Sequence, residues 1–395
     1  MSIIDHVEEK ETELRIPWLG YKQEYEAHRE AINGAIQRVI ESGAYQRSEE
    51  VDAFEREFAE YCDVKHGIGT NSCYAAMLLS LLACGVGPGD EVITVPNTDI
   101  TTTAAISHTG AQFVWADIDE RTYNIDPRRI EEKITERTKA ILPVHLYGLP
   151  ADMDALMSIA KAYGLWVITD NALAVGARYR GKRRAAIGDI GCFSFVYGKG
   201  LGTYGDAGMV VTDDAALAER IRRLNLYHDG TMQTATIGGI RLLTGFHYES
   251  EGYYTRLIPL HAAILREKLK VLDSWVVKRR KIAQLYAHLL GDLDLILPYE
   301  PDECGHVYRN YTLRVKKRDY VRRELAKRGI ETGLHYVPPL HLQPVYSKQG
   351  DNIGDFPITE RVANELITLP MYPELTEGQI QEISKALHAC IPSKA

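Results

Sequence analysis

Between residues 22 and 41 the apolar positions Ala31, Ile32, Ala35, Ile36, Val39 and Ile40 recur at intervals of three, four and one. That spacing gives one stripe on a helix. Ser42-Gly43-Ala44 breaks it, and Val51, Phe54 and Phe58 set the face of a second helix over 49–60. The pattern then alternates. A helix from Asn71 to Ala83 ends at Gly85, a strand Asp90–Val95 stops at Pro96, and a helix over Thr101–Ser107 leads to a strand at 112–116. Ala140–Val144, a helix at 151–163 and Trp166–Thr169 continue the rhythm, and 191–195 and 208–212 read as two more strands. Short, continuously apolar strands alternating with helices predict an α/β protein whose mainly parallel sheet is covered on both faces.

After about residue 260 the pattern changes. One long helix is expected from His261 to Leu290, then a strand at 311–315 and helices at 318–328 and 376–389. The division expected is a large domain over 15–260, including the N-terminal helical segment, and a linking helix with a smaller α+β domain over 261–395.

At 395 residues the chain is too long for one simple core. Its composition, 45% hydrophobic and 25% charged, is that of an ordinary globular enzyme. The net charge of −8 argues against a general nucleic-acid or membrane-surface binder, which needs clustered positive charge. The basic run Lys278–Lys281 reads as the solvated face of a helix. No run of about 18 apolar residues suggests a membrane span, and no secretory signal is expected at Met1–His6. The six cysteines lack metal-ligand spacing, so no metal site is expected. Read as reduced thiols, they suit a cytoplasmic location.

Three stretches carry candidate chemistry. Asp170 closes the apolar run Leu165–Ile168, and a carboxylate at the C-terminal end of a parallel strand faces the crevice where such sheets bind ligands. Lys199 follows a strand within Val196-Tyr197-Gly198-Lys199-Gly200, and partial burial would lower its pKa toward that of a nucleophilic amine. Ser72, Cys73 and Tyr74 open a helix, whose free N–H groups and positive dipole end can hold a phosphate. Taken singly, each has a plainer reading, as a loop aspartate, a surface lysine and an N-cap. A fourth stretch, Gly200-Leu201-Gly202-Thr203-Tyr204-Gly205, spells a dinucleotide fingerprint, but it leads into a strand rather than a helix. It is read instead as a turn behind Lys199.

In their order, these stretches resemble the DegT/DnrJ/StrS family of sugar aminotransferases over roughly residues 15–390. The resemblance rests on Gly85-Val86-Gly87-Pro88-Gly89-Asp90-Glu91-Val92, Asp117-Ile118-Asp119, Val144-His145-Leu146-Tyr147-Gly148, Gly188–Phe195 followed by Lys199, and Leu369-Pro370-Met371. It implies the fold-type I, aspartate-aminotransferase-like architecture and pyridoxal 5'-phosphate (PLP) as cofactor. It implies that Lys199 forms the Schiff base and shuttles the proton, that Asp170 pairs with the pyridine nitrogen, and that Ser194 and the backbone of Ser72, Cys73 and Tyr74 bind the phosphate. His335 and Tyr336 fit its C-terminal pattern and are candidate substrate contacts.

Three positions depart from the family. Leu173 replaces the glutamine that contacts the PLP hydroxyl, Ile100 aligns with the aromatic that stacks on the ring, and Tyr254 replaces the asparagine that reaches the neighbouring subunit's phosphate. Arg256 is the candidate for an anionic substrate group. The expected reaction moves an amino group from glutamate or glutamine to a keto-sugar, sugar phosphate or cyclitol ketone, in a homodimer with shared active sites. Such a reaction belongs to amino-sugar, antibiotic or surface-polysaccharide biosynthesis. Two rivals are a PLP-dependent sugar dehydratase, which in this family carries histidine where Lys199 stands, and a PLP-binding regulator without turnover.

Overall fold

A computed structural model describes residues 15–46, 48–184, 187–226, 231–237, 240–247 and 251–394, with side chains undescribed over 231–247. Among these residues the central feature is a seven-stranded sheet. In spatial order its strands are His66–Thr70, Gly208–Thr212, Ile190–Ser194, Trp166–Asp170, Thr138–Ile141, Glu91–Thr94 and Gln112–Trp115. All run parallel except Gly208–Thr212, which is antiparallel to both its neighbours. The predicted parallel sheet is present, with one reversed strand inside it.

The helix Cys73–Ala83 is the structural hinge between sheet and site. Its residues are buried nearly all round, including Met77, Leu79 and Leu81, so it is a core helix rather than an amphipathic one. It packs with Ile68, Ile168, Ile190 and Val210 of four neighbouring strands. Ser72 caps it, its Oγ accepting from the Ala75 N–H at 3.1 Å.

The strand His66–Thr70 is the member of the large sheet that the hydrophobic pattern does not announce. Its glycines weaken the strand signal, yet packing requires them: a Cβ on Gly69 would press on the Leu257 side chain, and one on Gly67 on the Glu55 carbonyl. The long helix expected over His261–Leu290 is two helices, Pro259–Leu269 and Leu272–Leu290. Lys270 and Val271 interrupt it, and Trp275 of the second helix is buried against the Phe58 and Phe195 cluster.

A second, three-stranded antiparallel sheet joins Leu295–Ile296, Tyr311–Val315 and Leu366–Leu369. Its core combines Tyr286, Leu313, Leu325, Ile367 and Ile383 with Ile16, which bridges to Ile330. The segment between does not stay with this core. Leu340, Tyr346 and Phe356 pack into the core of the large sheet, and the Tyr346 hydroxyl meets Thr103 at 2.6 Å.

The register places four chain ends side by side. Gly208 pairs with Thr70 on one side and Ser194 on the other, and Cys192 pairs with Asp170. A Cβ on Gly208 would overlap the Ser72 backbone, so this glycine lets the start of the helix ride directly over the sheet. Gly208→Ala is expected to lower the unfolding free energy by about 1–3 kcal/mol through overpacking. Chemical denaturation measures it, and an unchanged midpoint would show that the close approach has no energetic consequence.

Candidate active site

At that edge lies a cavity of about 200 Å³. Its lining includes Ser72, Cys73, Tyr74, Asp99, Asp170, Leu173, Ser194, Lys199 and Tyr336. The fold thus brings together most of the site residues expected from sequence, drawn from positions separated by more than 260 residues.

Asp170 sits at the end of its strand and is 4% exposed. Its Oδ2 accepts from the Thr102 hydroxyl at 3.0 Å, and Oδ1 from the Ala172 N–H at 2.9 Å. The Cys73 thiol lies 3.8 Å from Oδ1. Burial pushes the carboxyl above the ordinary carboxylate range, while the Ala172 N–H, Lys199 and Thr102 pull it back. Among the described residues no Lys, Arg or His stands within ion-pair distance of it. An uncompensated buried carboxylate is unfavourable, and a protonated ring nitrogen is a cation of the right size and polarity to relieve it.

Lys199 follows the strand Ile190–Ser194 in a loop tied by the Lys199 N–H to the Val196 carbonyl at 3.1 Å and the Thr203 N–H to the Phe195 carbonyl at 2.8 Å. Burial first, and the nearby Arg309 guanidinium second, lower the pKa of its amine, with Asp170 opposing. A neutral amine is the form that attacks a carbonyl. The glycines behind it run into the strand Gly208–Thr212 with no helix between, which removes the dinucleotide reading. Gly198 itself has φ of +80° and lies against Tyr21.

Ser194 is buried beside the N-terminal turn of the helix Cys73–Ala83, and both line the cavity. A hydroxyl and helix N–H groups on one wall form a fit for a phosphate. With a half-buried lysine and a buried carboxylate on the other walls, the residues present fit PLP. Leu173, 6% exposed, lines the cavity and packs against the core around Val144 and Leu146.

Other expected residues lie elsewhere. Ile100 opens the helix Ile100–Ser107, 46% exposed and outside the cavity lining, which its neighbours Asp99 and Thr101 reach instead. Tyr254 is exposed, and the Arg256 guanidinium donates to its hydroxyl at 2.6 Å. Arg256 lines a separate cavity with Glu55, Asn225 and Leu257. His335 adjoins the site: Tyr336 lines it, and the Tyr147 hydroxyl donates to the His335 carbonyl. Sequence reasoning missed Asp99, Thr102 and Arg309. The run Asp99-Ile100-Thr101-Thr102 carries an N-cap signature, Asp99 accepting from the Thr101 N–H at 2.9 Å, but nothing in it announces a partner 68 residues away.

A half-buried lysine and a buried carboxylate lining one cavity, at the C-terminal edge of a mainly parallel sheet, define a PLP-dependent enzyme of fold type I. The chain belongs to the DegT/DnrJ/EryC1/StrS aminotransferase family, which its sequence matches over residues 26–388. It is 41% identical over 374 residues to a "dTDP-3-amino-3,4,6-trideoxy-alpha-D-glucose transaminase" of Streptomyces venezuelae, covering 94% of this chain and 95% of that one. It is also 41% identical over 374 residues to a "pleiotropic regulatory protein" of Geobacillus stearothermophilus, covering 94% and 97%. The fold matches the crystal structure of S. venezuelae DesV in complex with a ketimine intermediate. The TM-score is 0.89 and the identity 40%, covering 96% of this chain and 98% of that one.

Two outcomes follow from this geometry. Thr102→Val leaves Oδ2 without its hydroxyl donor, and Asp170→Asn removes the charge. The second is expected to slow the half-reaction with glutamate by at least about 100-fold and the first by about 10-fold, on the scale of a lost charged and a lost single hydrogen bond. Single-turnover absorbance measures both, and equal rates in all three proteins contradict the role of the carboxylate. Burial, with Arg309 and Lys199 adding to it, pulls His335 down to about 3 from an ordinary 6.5. Between those values the unfolded chain holds a proton that the native one does not. Stability therefore falls as pH drops through that window, by up to about 1.4 kcal/mol per pH unit. Urea midpoints should fall more steeply toward acid in the native protein than in His335→Gln.

Proposed function

We propose that this chain is a PLP-dependent aminotransferase that moves an amino group from glutamate or glutamine to a keto-hexose linked to a nucleoside diphosphate, with carbon 3 as the carbon aminated. The observation that carries this reading is that Lys199 and Asp170 line one cavity and act on each other electrostatically. The family assignment supports the reaction, and the S. venezuelae relative supports the substrate class.

When bound, PLP supplies an electrophilic carbon and a ring that accepts electrons from the substrate's C–H bond. The protein supplies the rest. Lys199 offers a neutral amine that would hold the cofactor and would take up or deliver the proton at the carbon of the bound substrate that carries the nitrogen. Asp170 keeps the ring nitrogen protonated, with Thr102 and Ala172 fixing the carboxylate plane. Ser194, with the backbone of Ser72, Cys73 and Tyr74, holds the phosphate. Tyr336 closes the cavity from the C-terminal part of the chain, and burial together with Asp99 and Asp170 keeps its hydroxyl protonated. Leu173 leaves the cofactor hydroxyl without a glutamine partner.

The same proposal includes a homodimer. Tyr254 and Arg256 are exposed or half-exposed and stand away from their own chain's cavity, a placement that suits side chains serving a neighbouring subunit. It also includes the division into 15–260 and 261–395; the core from Ile282 to Ile391 supports the second unit, while Ile16 joins that core and Ala262–Trp275 packs with the first. The segment carrying Leu340 and Phe356 ties the two units together. A cytoplasmic location fits the reduced cysteines, and no described helix is long and apolar enough to cross a membrane.

Lysine at position 199 disfavours the dehydratase. A regulator without turnover does not require an amine whose proton affinity is lowered by burial. The test is transfer of labelled nitrogen from glutamate to dTDP- and UDP-linked 3-keto-hexoses. Labelled amino-sugar is the expected product. Loss of water from the sugar without uptake of nitrogen, or cofactor binding with no product, contradicts the proposal.

A further inference from the structure

Asp170 and Asp99 both line the cavity, and they use their oxygens differently. Both oxygens of Asp170 are taken, Oδ2 by the Thr102 hydroxyl and Oδ1 by the Ala172 N–H. Asp99 bonds through one oxygen alone. Its Oδ1 accepts from the Thr101 N–H at 2.9 Å and from the Thr101 hydroxyl at 2.8 Å, the bonds of an N-cap on the helix Ile100–Ser107. Both described hydrogen bonds of this side chain fall on Oδ1. Capping therefore accounts for one oxygen and leaves Oδ2 open. An ionised carboxylate only accepts hydrogen bonds, so the group that meets Oδ2 has to be a donor.

The loop that carries Asp99 is fixed. Asn97 and Thr98 are buried, and the Pro96 carbonyl accepts from the Leu340 N–H at 2.9 Å. That bond ties the loop after the strand Glu91–Thr94 to the C-terminal segment that carries Tyr336. Asp99 is exposed and so stands where the cavity opens. Asp206 is exposed and lines the cavity as well, but it is the charge of Asp99 that acts on Tyr336, Asp170 and Lys199. Tyr336 and Asp99 thus bring a phenol O–H and an open carboxylate oxygen to one cavity. A sugar hydroxyl can use both, accepting from the first and donating to the second. A C–H in the same place can use neither.

We propose that Asp99 is a specificity-determining residue for the acceptor: its open Oδ2 accepts from the hydroxyl on a carbon flanking the ketone, and the enzyme prefers a ketone with that hydroxyl to its deoxy counterpart. The inference rests on the aminotransferase reading and narrows the acceptor within it. Lys199 marks the place where nitrogen is exchanged. Asp99 lines the same cavity, so the hydroxyl it meets lies beside the reacting carbon and not at the far end of the nucleotide.

The test reads binding to the PLP-loaded enzyme, which holds no amine to transfer, by calorimetry. The ligands are a dTDP-linked 3-keto-hexose with hydroxyls on carbons 2 and 4, and its 2-deoxy and 4-deoxy analogues. One of the two analogues is expected to bind about 10- to 100-fold more weakly than the parent, the scale of a hydrogen bond to a charged group. Asp99→Ser removes Oδ2 but keeps a residue that caps a helix. In that variant the gap between parent and analogue should shrink to no more than about 3-fold. A merely structural loss would weaken all three ligands alike and leave their ratio unchanged. Equal binding of the parent and both analogues to the native enzyme overturns the proposal, as does binding of none of them, or the same ratio in variant and native protein. If the variant does not fold, the native enzyme decides with fluorine in place of the discriminating hydroxyl, a group of similar size that cannot donate. That analogue should bind as weakly as the deoxy one, and binding equal to that of the parent overturns the assignment. Failure of labelled nitrogen to reach any keto-sugar would instead refute the aminotransferase reading, a result distinct from these affinities.

Discussion

The buried carboxylate of Asp170 is the constraint on which the rest of the site depends. It is nearly sealed from water and anchored by a threonine hydroxyl and a backbone N–H. No cation of the described chain neutralises it at close range. Its ionised form therefore becomes favourable when a positive ring nitrogen is placed beside it. Lys199 meets the same burial with the opposite sign, because desolvation disfavours its charged form. Burial thus favours the neutral form of both groups, and a ring cation beside Asp170 would ionise the acid while the amine stays neutral, the two protonation states that PLP chemistry needs at once.

The sheet explains why the two groups meet. Asp170 ends one strand, Lys199 follows the next, and the reversed strand Gly208–Thr212 sets Ser194 beside the start of the central helix. Parallel strands deliver their C-terminal ends to one edge. The antiparallel strand brings its beginning to that same edge, and Gly208 has no side chain to obstruct Ser72. Architecture and chemistry are linked through that single close contact.

Much of this was legible in the chain. Apolar strands with helical spacers announced the sheet. The order of motifs around Asp170 and Lys199 announced the cofactor class. Features governed by distant contacts were not legible. The strand His66–Thr70 hides behind glycines whose small size answers to Leu257 and Glu55. The break at Lys270 and Val271 lies in a run that remains helical by periodicity on both sides. Thr102 and Arg309 carry no local signal, because what distinguishes them is burial beside residues far along the sequence. Ile100 shows the reverse: alignment by motif put it in the site, while the helix start turns its side chain outward.

The most direct measurement is to reduce the PLP-loaded protein with borohydride and locate the pyridoxyl group by peptide mass spectrometry. The account predicts a single modification, on Lys199. Modification of a different lysine, or no retained cofactor after reduction, contradicts it.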